Sequence, residues 1–301
     1  MTNVYLPLYE AKMLSFYDHR AADVIKSPTA QHRQNQPRYL TDAEKDDPNR
    51  EAIGLYWIAE EHVSGALEGR WDRDWVLGWR DISSASNHRT MIPSIAPASG
   101  FGDKFLLCMA DRPSSNLPLA AVWSSFAFDY VARQKVSGTS VKFFTVKQFA
   151  CPTPAQLAGP SPWNAADEVS EQLSASVKEL SVTSWRMVPF ARDLGDDGPP
   201  FRWIPERREQ IRAEVDAMMF HVYGLDRDEV DYVMDTFTVL RKYDVRDHGE
   251  FRTKRLILEF YDLLAEAIAS SVPYESPISP TPGFGPRHDE STRPYWMKEE
   301  Q

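Results

Sequence analysis

The chain has 301 residues, of which 42% are hydrophobic and 12% aromatic, and its formal net charge is −10 at pH 7. A hydrophobic fraction of this size can form a core, so the composition excludes a disordered chain, and the length suits one large domain or two ordinary ones. The two cysteines do not suggest a disulfide framework or a zinc knuckle, and neither a signal peptide nor a membrane-spanning apolar run occurs, so we expect a cytoplasmic protein.

The first 150 residues alternate between short apolar segments and polar turns. Residues 1–22 form a mixed, compact block, and the polar residues 26–50 are typical of an exposed loop. The patterns that follow predict strands at Trp75–Trp79, Met91–Ile95 and Phe105–Met109, a helix at Leu119–Arg133 and a strand at Val141–Val146. We interpret residues 1–150 as one region of mixed helices and strands.

Prolines and then helical patterns characterise the second half of the chain. Repeated prolines predict a loop at 151–164, and a short helix is expected at Asp167–Leu180 within a connecting region at 151–206. Residues 207–271 show three apolar stripes with helical spacing; Gly224 is placed to end the first helix, and Asp226 with Glu229 to cap the second. Residues 272–301 are proline-rich without an apolar period and predict a flexible tail. The expected fold class is α+β, with small mixed sheets followed by helices.

The segment 133–147 is basic although the chain is acidic. It contains four basic residues and no acidic one, and its glycine lets the backbone approach a ligand closely. A nucleic-acid backbone is one explanation of such a loop, and an ordinary solvated surface is the other. The candidate DNA contacts in this segment are Arg133, Lys135, Ser137, Gly138, Thr139, Lys142 and Lys147.

A second polar cluster lies between two predicted strands. Arg80, Asn87 and Arg89 are residue types that contact phosphates or base edges, and we include them among the candidate DNA contacts. The alternative is that Arg80, Asp81 and Arg89 form an internal ion-pair network.

Catalytic and metal-binding motifs are absent from the sequence. The seven histidines show no metal-ligand spacing, and the chain contains no P-loop, nucleophile elbow or Rossmann fingerprint. We therefore predict no catalytic residue and no metal ligand. An independent enzyme stays possible if scattered residues such as Glu10, Asp18 and His19 meet in one deep pocket.

Four blocks of sequence together cover most of residues 5–265. They are Leu6–Met13 (LPLYEAKM) with Phe16 and Asp18-His19-Arg20; Arg80-Asp81-Ile82 with Arg89-Thr90; Phe128–Lys135 with Gly138-Thr139 and Phe143-Phe144; and Asp216 with Tyr223-Gly224-Leu225 and Gly249–Thr253. In this order they resemble the region behind the catalytic domain in large type IIG-like adenine-specific restriction-modification methylases and related phage-defence methylases.

This resemblance implies a target-recognition region that binds double-stranded DNA. The chain departs from the family at Ala11, where glycine is usual, and at Trp123-Ser124, where Asn-Ser is frequent. It also lacks the Asn/Asp-Pro-Pro-Tyr/Phe motif that holds a flipped adenine. The resemblance therefore implies that the methyltransferase core and its S-adenosylmethionine belong to a separate domain or subunit, with this chain a fragment, a split gene product or a specificity subunit that binds no cofactor. A docking module without DNA readout is the alternative.

Overall fold

The computed structural model describes residues 4–297, apart from 30 and 33. Helices account for about 45% of the chain and small mixed sheets for about 16%, so the fold class is α+β, as the sequence predicts. The strands are β1 Tyr5–Tyr9, β2 Ala22–Lys26, β3 Asn35–Tyr39, β4 Trp57–Ala59, β5 Trp75–Arg80, β6 Pro93–Pro97, β7 Gly100–Phe101, β8 Phe105–Cys108, β9 Pro160–Ser161 and β10 Asn164–Glu168. The helices are α1 Asp42–Asp46, α2 Glu60–Leu67, α3 Asn116–Ser124, α4 Phe126–Lys135, α5 Phe143–Val146, α6 Pro154–Leu157, α7 Val169–Ser181, α8 Val188–Arg192, α9 Pro205–Val222, α10 Arg227–Asp235, α11 Thr238–His248 and α12 Arg252–Ser270.

The sheet that leads to the candidate site is built on β5. This strand pairs antiparallel with β6 on one side and β8 on the other. Its apolar run from Trp75 to Trp79 is buried on both faces, which is why the sequence shows a continuous apolar segment rather than alternation. Gly78 has to be glycine, because a Cβ atom there would collide with the Phe105 ring. Two of the three predicted strands in this region are confirmed, and the third begins two residues later than predicted.

The other sheets are small. Strand β1 pairs antiparallel with β4 and parallel with β7, while β2 with β3, and β9 with β10, form two-stranded ribbons. The segment 26–50 is mostly exposed, as predicted, but it contains strand β3 and helix α1 and is therefore not simply a loop. The sequence signal was obscured because β3 carries Pro37 and few apolar side chains.

Ser125 divides the predicted helix Leu119–Arg133 into α3 and α4. Its backbone is extended (ψ 153°), its hydroxyl accepts a hydrogen bond from Phe128 N (3.2 Å), and it donates one to Val122 O (2.7 Å). Serine caps helices well because its side chain satisfies an amide that the first turn leaves unpaired. The apolar spacing continues across the junction, so the pattern alone predicts one helix.

The C-terminal helices agree with the sequence in most respects. Helix α9 packs along α12; Gly224 adopts a left-handed conformation (φ 73°) just after α9, and Asp226 caps α10 in a capping box with Glu229. Helix α11 was not predicted. Its side chains are mostly exposed, and Asp244 alone is buried within it, so it has no apolar stripe to mark it.

One hydrophobic core extends across the predicted regions 1–150, 151–206 and 207–271. Side chains from β5, α4, α7, α9 and α12 belong to the same cluster, including Leu77, Phe128, Val177, Ile211 and Ile257. The two halves of the chain are therefore held together by apolar packing rather than by a linker.

The segment after α12, predicted as a flexible tail, lies against the body of the protein as far as residue 297. Ile278 and Met297 are buried, and the Arg287 guanidinium stacks on the Phe201 ring. Buried Glu179 accepts hydrogen bonds from Gly283 N (2.8 Å) and Gly285 N (3.2 Å). We call residues 272–297 the C-terminal strap. Its apolar and polar contacts are both made with distant parts of the chain, so no local pattern predicts them.

Candidate nucleic-acid interface

The structure brings the two predicted DNA-contacting segments side by side. Ser83 N donates to Thr139 O (3.2 Å), Val141 N donates to Asp81 O (2.7 Å), and Ile82 and Ser140 form a single β-bridge. Farther along, the Arg133 guanidinium donates to the backbone oxygen of Asn87 (2.7 Å). Residues 80–89 and 133–147 thus form one continuous surface, which we call the joined-loop surface.

The strand predicted at Val141–Val146 is not formed. After the bridge at Ser140 the chain turns into α5, where Thr145 N and Val146 N both donate to Lys142 O at 3.0 Å. The alternating residues that predict a strand instead place Val141 in the core and both phenylalanines of α5 on the surface.

Arg89 is buried and is not available for DNA. Its Nε donates to Asp129 Oδ2 (2.6 Å), and its guanidinium lies between the rings of Phe16 and Phe126, 4.5 and 4.0 Å from their centroids. Asp129 also accepts hydrogen bonds from Thr90 N (2.9 Å). The internal ion pair that the sequence leaves as an alternative is what the structure contains at this position.

Arg80 and Arg133 are also engaged in contacts within the protein. The Arg80 guanidinium, which is half-buried, donates to Leu14 O through Nε at 2.7 Å, and burial lowers its pKa. The Arg133 guanidinium stacks on the Phe237 ring at 4.0 Å. These two arginines join neighbouring segments, and several of their N–H groups already donate within the protein. Their charges still contribute to the positive electrostatic potential of the surface.

Lys142 is paired with a buried carboxylate. Its Nζ lies 2.6 Å from Asp81 Oδ2, and Lys104 Nζ lies 3.8 Å from the same oxygen and 2.8 Å from Asp103. The two lysines and the two aspartates cancel in formal charge. Lys142 is therefore a poorer phosphate ligand than a charge count of the loop suggests, and its replacement would leave Asp81 short of a partner.

Lys135 and Lys147 supply the free positive charge of the joined-loop surface. Both are exposed, and neither has an ion-pair partner within the part of the chain that the structure describes. Between them lie the exposed residues Ser137, Gly138 and Thr139. Asn87 is exposed as well, so its amide is accessible to a ligand. These six residues are the predicted contacts that the structure leaves accessible.

Exposed apolar side chains accompany these lysines. Phe144 is 70% exposed, Phe143 48% and Ile82 51%. The two phenylalanines belong to a family-like sequence block but are not among the predicted site residues. The adjacent pair of phenylalanines between Lys142 and Lys147 is the sequence signal for an exposed aromatic group. Successive side chains of a strand point to opposite faces, so the predicted strand would bury one of the two rings.

Glu10, Asp18 and His19 do not meet in one pocket. Asp18 is paired with Lys45 Nζ (2.7 Å), whereas buried His19 Nε2 lies 3.0 Å from Ser184 Oγ and 3.2 Å from Glu51 Oε2. Ser184 and Glu51 both contact the Nε2 nitrogen of the His19 ring. In a hydrolase triad the serine and the acid contact opposite ring nitrogens, so these three residues do not form one. A cavity of about 270 Å³ beside Asp18 is lined by neither His19 nor Glu10.

A second cavity, of about 220 Å³, lies behind the Arg89 loop, where the N-terminal half meets the helices. Tyr17, with a left-handed backbone (φ 54°), Arg89 and Asp216 contribute to its lining. Asp216 Oδ1 accepts a hydrogen bond from Phe126 N (2.7 Å), and burial raises the pKa of this carboxyl to about 7. Asp216 therefore changes its charge near neutral pH at a junction of the fold.

No three or more His, Cys, Asp or Glu side chains in 4–297, leaving aside 30 and 33, are grouped so that they could hold a metal ion. Within the same residues, none of the helices has the length and apolarity needed to cross a bilayer.

Comparison with protein-family models, with curated proteins and with solved structures found no match for this chain. The resemblance to adenine-specific methylases therefore stays a prediction from the sequence blocks.

Proposed function

We propose that this chain is the DNA-specificity module of an adenine-N6 DNA methyltransferase in a restriction-modification or phage-defence system. The observation that carries the proposal is the joined-loop surface, where the side chains of Lys135, Lys147 and Phe144 are all exposed. Methyl transfer from S-adenosylmethionine belongs to a methyltransferase domain or subunit, because the adenine-binding motif is absent from this sequence. We place the assembly in the cytoplasm, where its DNA target is found.

The charge distribution supports a polyanionic ligand at this surface. The chain as a whole carries a net charge of −10, so it would repel DNA over most of its area. A local basic surface on such a chain restricts the orientation in which a duplex can approach. Restricted approach suits a module that presents DNA to a catalytic domain and does not coat it.

The accessible residues divide into two roles. Lys135 and Lys147 contact phosphates, and the loop at Gly138 lets backbone amides approach the DNA strand closely. Asn87 is the candidate for reading a base edge, because its amide can both donate and accept. Arg80, Arg89 and Arg133 hold the two loops in place and act on DNA only through the field of their charges.

The experiment is a fluorescence anisotropy titration of the full chain with a labelled duplex of about 30 base pairs at low salt. We expect the wild-type chain to bind, and the Lys135→Ala/Lys147→Ala variant to bind on the order of tenfold more weakly, because two phosphate contacts are lost. Lys26→Ala/Arg70→Ala is the matched control: it removes the same charge from exposed positions elsewhere and should bind as the wild type does. Equal weakening by both variants would contradict the assignment of the surface.

A docking module is the second candidate, and one observation favours it. Tyr5 and Trp57 lie on the same face of the paired strands β1 and β4 and are 55% and 56% exposed, which suits a protein partner. Failure of the wild-type chain to bind any duplex at low salt would favour this candidate over the first.

A further inference from the structure

Phe144 is exposed to an extent that is unusual for a phenylalanine. At 70% exposure its ring is open to solvent, whereas a buried phenylalanine would remove about 150 Å² or more of apolar area from water. Single exposed apolar residues occur on most proteins. Here, however, Ile82 and Phe143 are exposed on the same joined-loop surface, so Phe144 belongs to an apolar group.

The position of Phe144 is fixed by its neighbours. Phe143 packs edge-on against Trp79 (centroids 5.0 Å apart), and Trp79 packs in the same way against Trp123 (5.3 Å). The Trp79 indole also donates to Val141 O (2.7 Å), which ties the start of α5 to the central sheet. The ring of Phe144 is thus carried on a rigid support, and little ordering is needed when it binds a ligand.

Lysines flank the short helix that carries the exposed rings. Lys142 directly precedes α5 and Lys147 directly follows it, and Lys104 shares Asp81 with Lys142. Lysine is depleted in the cores of protein–protein interfaces, so this combination is unfavourable for a protein partner. Aromatic side chains next to lysines are the usual arrangement for nucleic acids, since the lysines bind phosphates while the ring stacks on a base.

We propose that Phe144 stacks on a nucleobase by entering a partly opened base step of duplex DNA, while Lys147 binds an adjacent phosphate. This inference rests on the proposed function and deepens it, because it assigns the residue that deforms the DNA. An apolar wedge unstacks one step and bends the duplex, so the energy of deforming that step enters the binding energy. DNA that is already weakly stacked should then bind more tightly.

The test compares three labelled probes in the anisotropy titration: a fully paired duplex of about 30 base pairs, the same duplex with one central C·C mismatch, and the corresponding single strand. We expect the wild-type chain to bind the mismatched duplex at least about threefold more tightly than the paired one, because opening the step costs less. The single strand should bind more weakly than either duplex, because its phosphates are not held at the spacing of a duplex.

Phe144→Ala should remove the preference for the mismatch, and Phe144→Trp should retain it, because either aromatic ring can stack. Phe284→Ala is the matched control, since Phe284 is 76% exposed on the C-terminal strap, away from the lysines. Phe144 contributes little to the core, so Phe144→Ala should keep the thermal midpoint of the wild type, which the melting curve checks.

The outcomes separate this inference from the proposed function. If the wild-type chain binds duplexes without a preference for the mismatch, or if Phe144→Ala keeps the preference, the wedge is refuted and DNA binding stands. If the single strand binds most tightly, stacking on an opened duplex is likewise refuted. If the wild-type chain binds no DNA, the proposed function fails as well, and the apolar surface is then a protein-docking site.

Discussion

Arg89 shows how a buried arginine can be mistaken in sequence for a DNA contact. It is 7% exposed, stacks between two phenylalanine rings and pairs with Asp129, which is 0% exposed. A buried pair of this kind is costly to break from one side, because the remaining charge loses its partner without regaining water.

We therefore expect Arg89→Ala to lower the free energy of unfolding by about 3 kcal/mol. Urea unfolding followed by circular dichroism measures this, with the exposed Arg70→Ala as the control, for which a change below about 0.5 kcal/mol is expected. If Arg89→Ala is as stable as the wild type but defective in DNA binding, Arg89 contacts DNA and our assignment of it to the interior is contradicted.

The Asp216 carboxyl predicts a pH dependence of stability. Burial raises its pKa in the folded state to about 7, well above its value in an unfolded chain. Protons are thus bound more tightly in the folded state, so this group's contribution to stability is full at acid pH and is lost as the pH rises to about 7. Asp216→Asn removes that loss while keeping an oxygen that can accept from Phe126 N.

The Asn variant should gain about 2 kcal/mol over the wild type between pH 5 and pH 8, measured as the change in their difference in unfolding free energy. The conclusion about Asp216 would be contradicted if that difference were the same at both pH values.

At the scale of single residues, the sequence predicts which segment is exposed better than it predicts the contacts of that segment. The count of basic residues in 133–147 correctly points to an exposed surface, yet it cannot show that Lys142 is paired with Asp81, 61 positions away. The pair Arg89–Asp129 likewise joins residues 40 positions apart. Which charges are free depends on such long-range contacts, and no local pattern contains them.

At the scale of elements, helices with an apolar stripe and a clear end are predictable. Helix α9 ends at Val222 with the left-handed Gly224 just beyond it, and Asp226 caps α10 in the capping box that the sequence predicts. The predictions fail for elements whose limits are set by tertiary packing. Ser125 interrupts an apolar pattern that continues through it, and α11 forms with few apolar contacts of its own.

Ser125→Ala tests the junction of α3 and α4. The variant loses both the cap to Phe128 N and the bond to Val122 O, so we expect the free energy of unfolding to fall by about 1 kcal/mol. The exposed Ser137→Ala serves as the control in the same urea titration. A loss of similar size in both variants would show that the cap does not hold the junction.

The C-terminal strap depends on Glu179. This carboxylate accepts from Gly283 N and Gly285 N and pairs with Arg207 Nε (2.6 Å). Glu179→Ala should release the strap, and trypsin should then cleave after Arg287 several-fold faster than in the wild type, because the native strap is held against the body. The exposed Glu266→Ala on α12 should keep the wild-type rate. Equal cleavage rates in all three proteins would contradict this role of Glu179.

At the scale of the whole molecule, two residues of the family-like blocks contribute to the interior where the two halves of the chain meet. Arg89 and Asp216 are buried, and both contact the start of α4 or its neighbours. Asp216 joins α9 to the start of α4, and Arg89 joins the loop after β5 to the end of α3, so both residues help to hold the shared core together. Other residues of these blocks, such as Lys135, Thr139 and Phe144, are exposed, and the proposed DNA contacts are among them.

The central claim is that Lys135 and Lys147 bind DNA phosphates, and the salt dependence of binding tests it most directly. Each phosphate contact contributes about 0.9 to the slope of log Kd against log salt concentration. We predict that Lys135→Ala/Lys147→Ala lowers this slope by about 1.8 relative to the wild type, while Lys26→Ala/Arg70→Ala leaves it unchanged. An unchanged slope in the Lys135→Ala/Lys147→Ala variant would contradict the account, because it would show that these two lysines touch no phosphate.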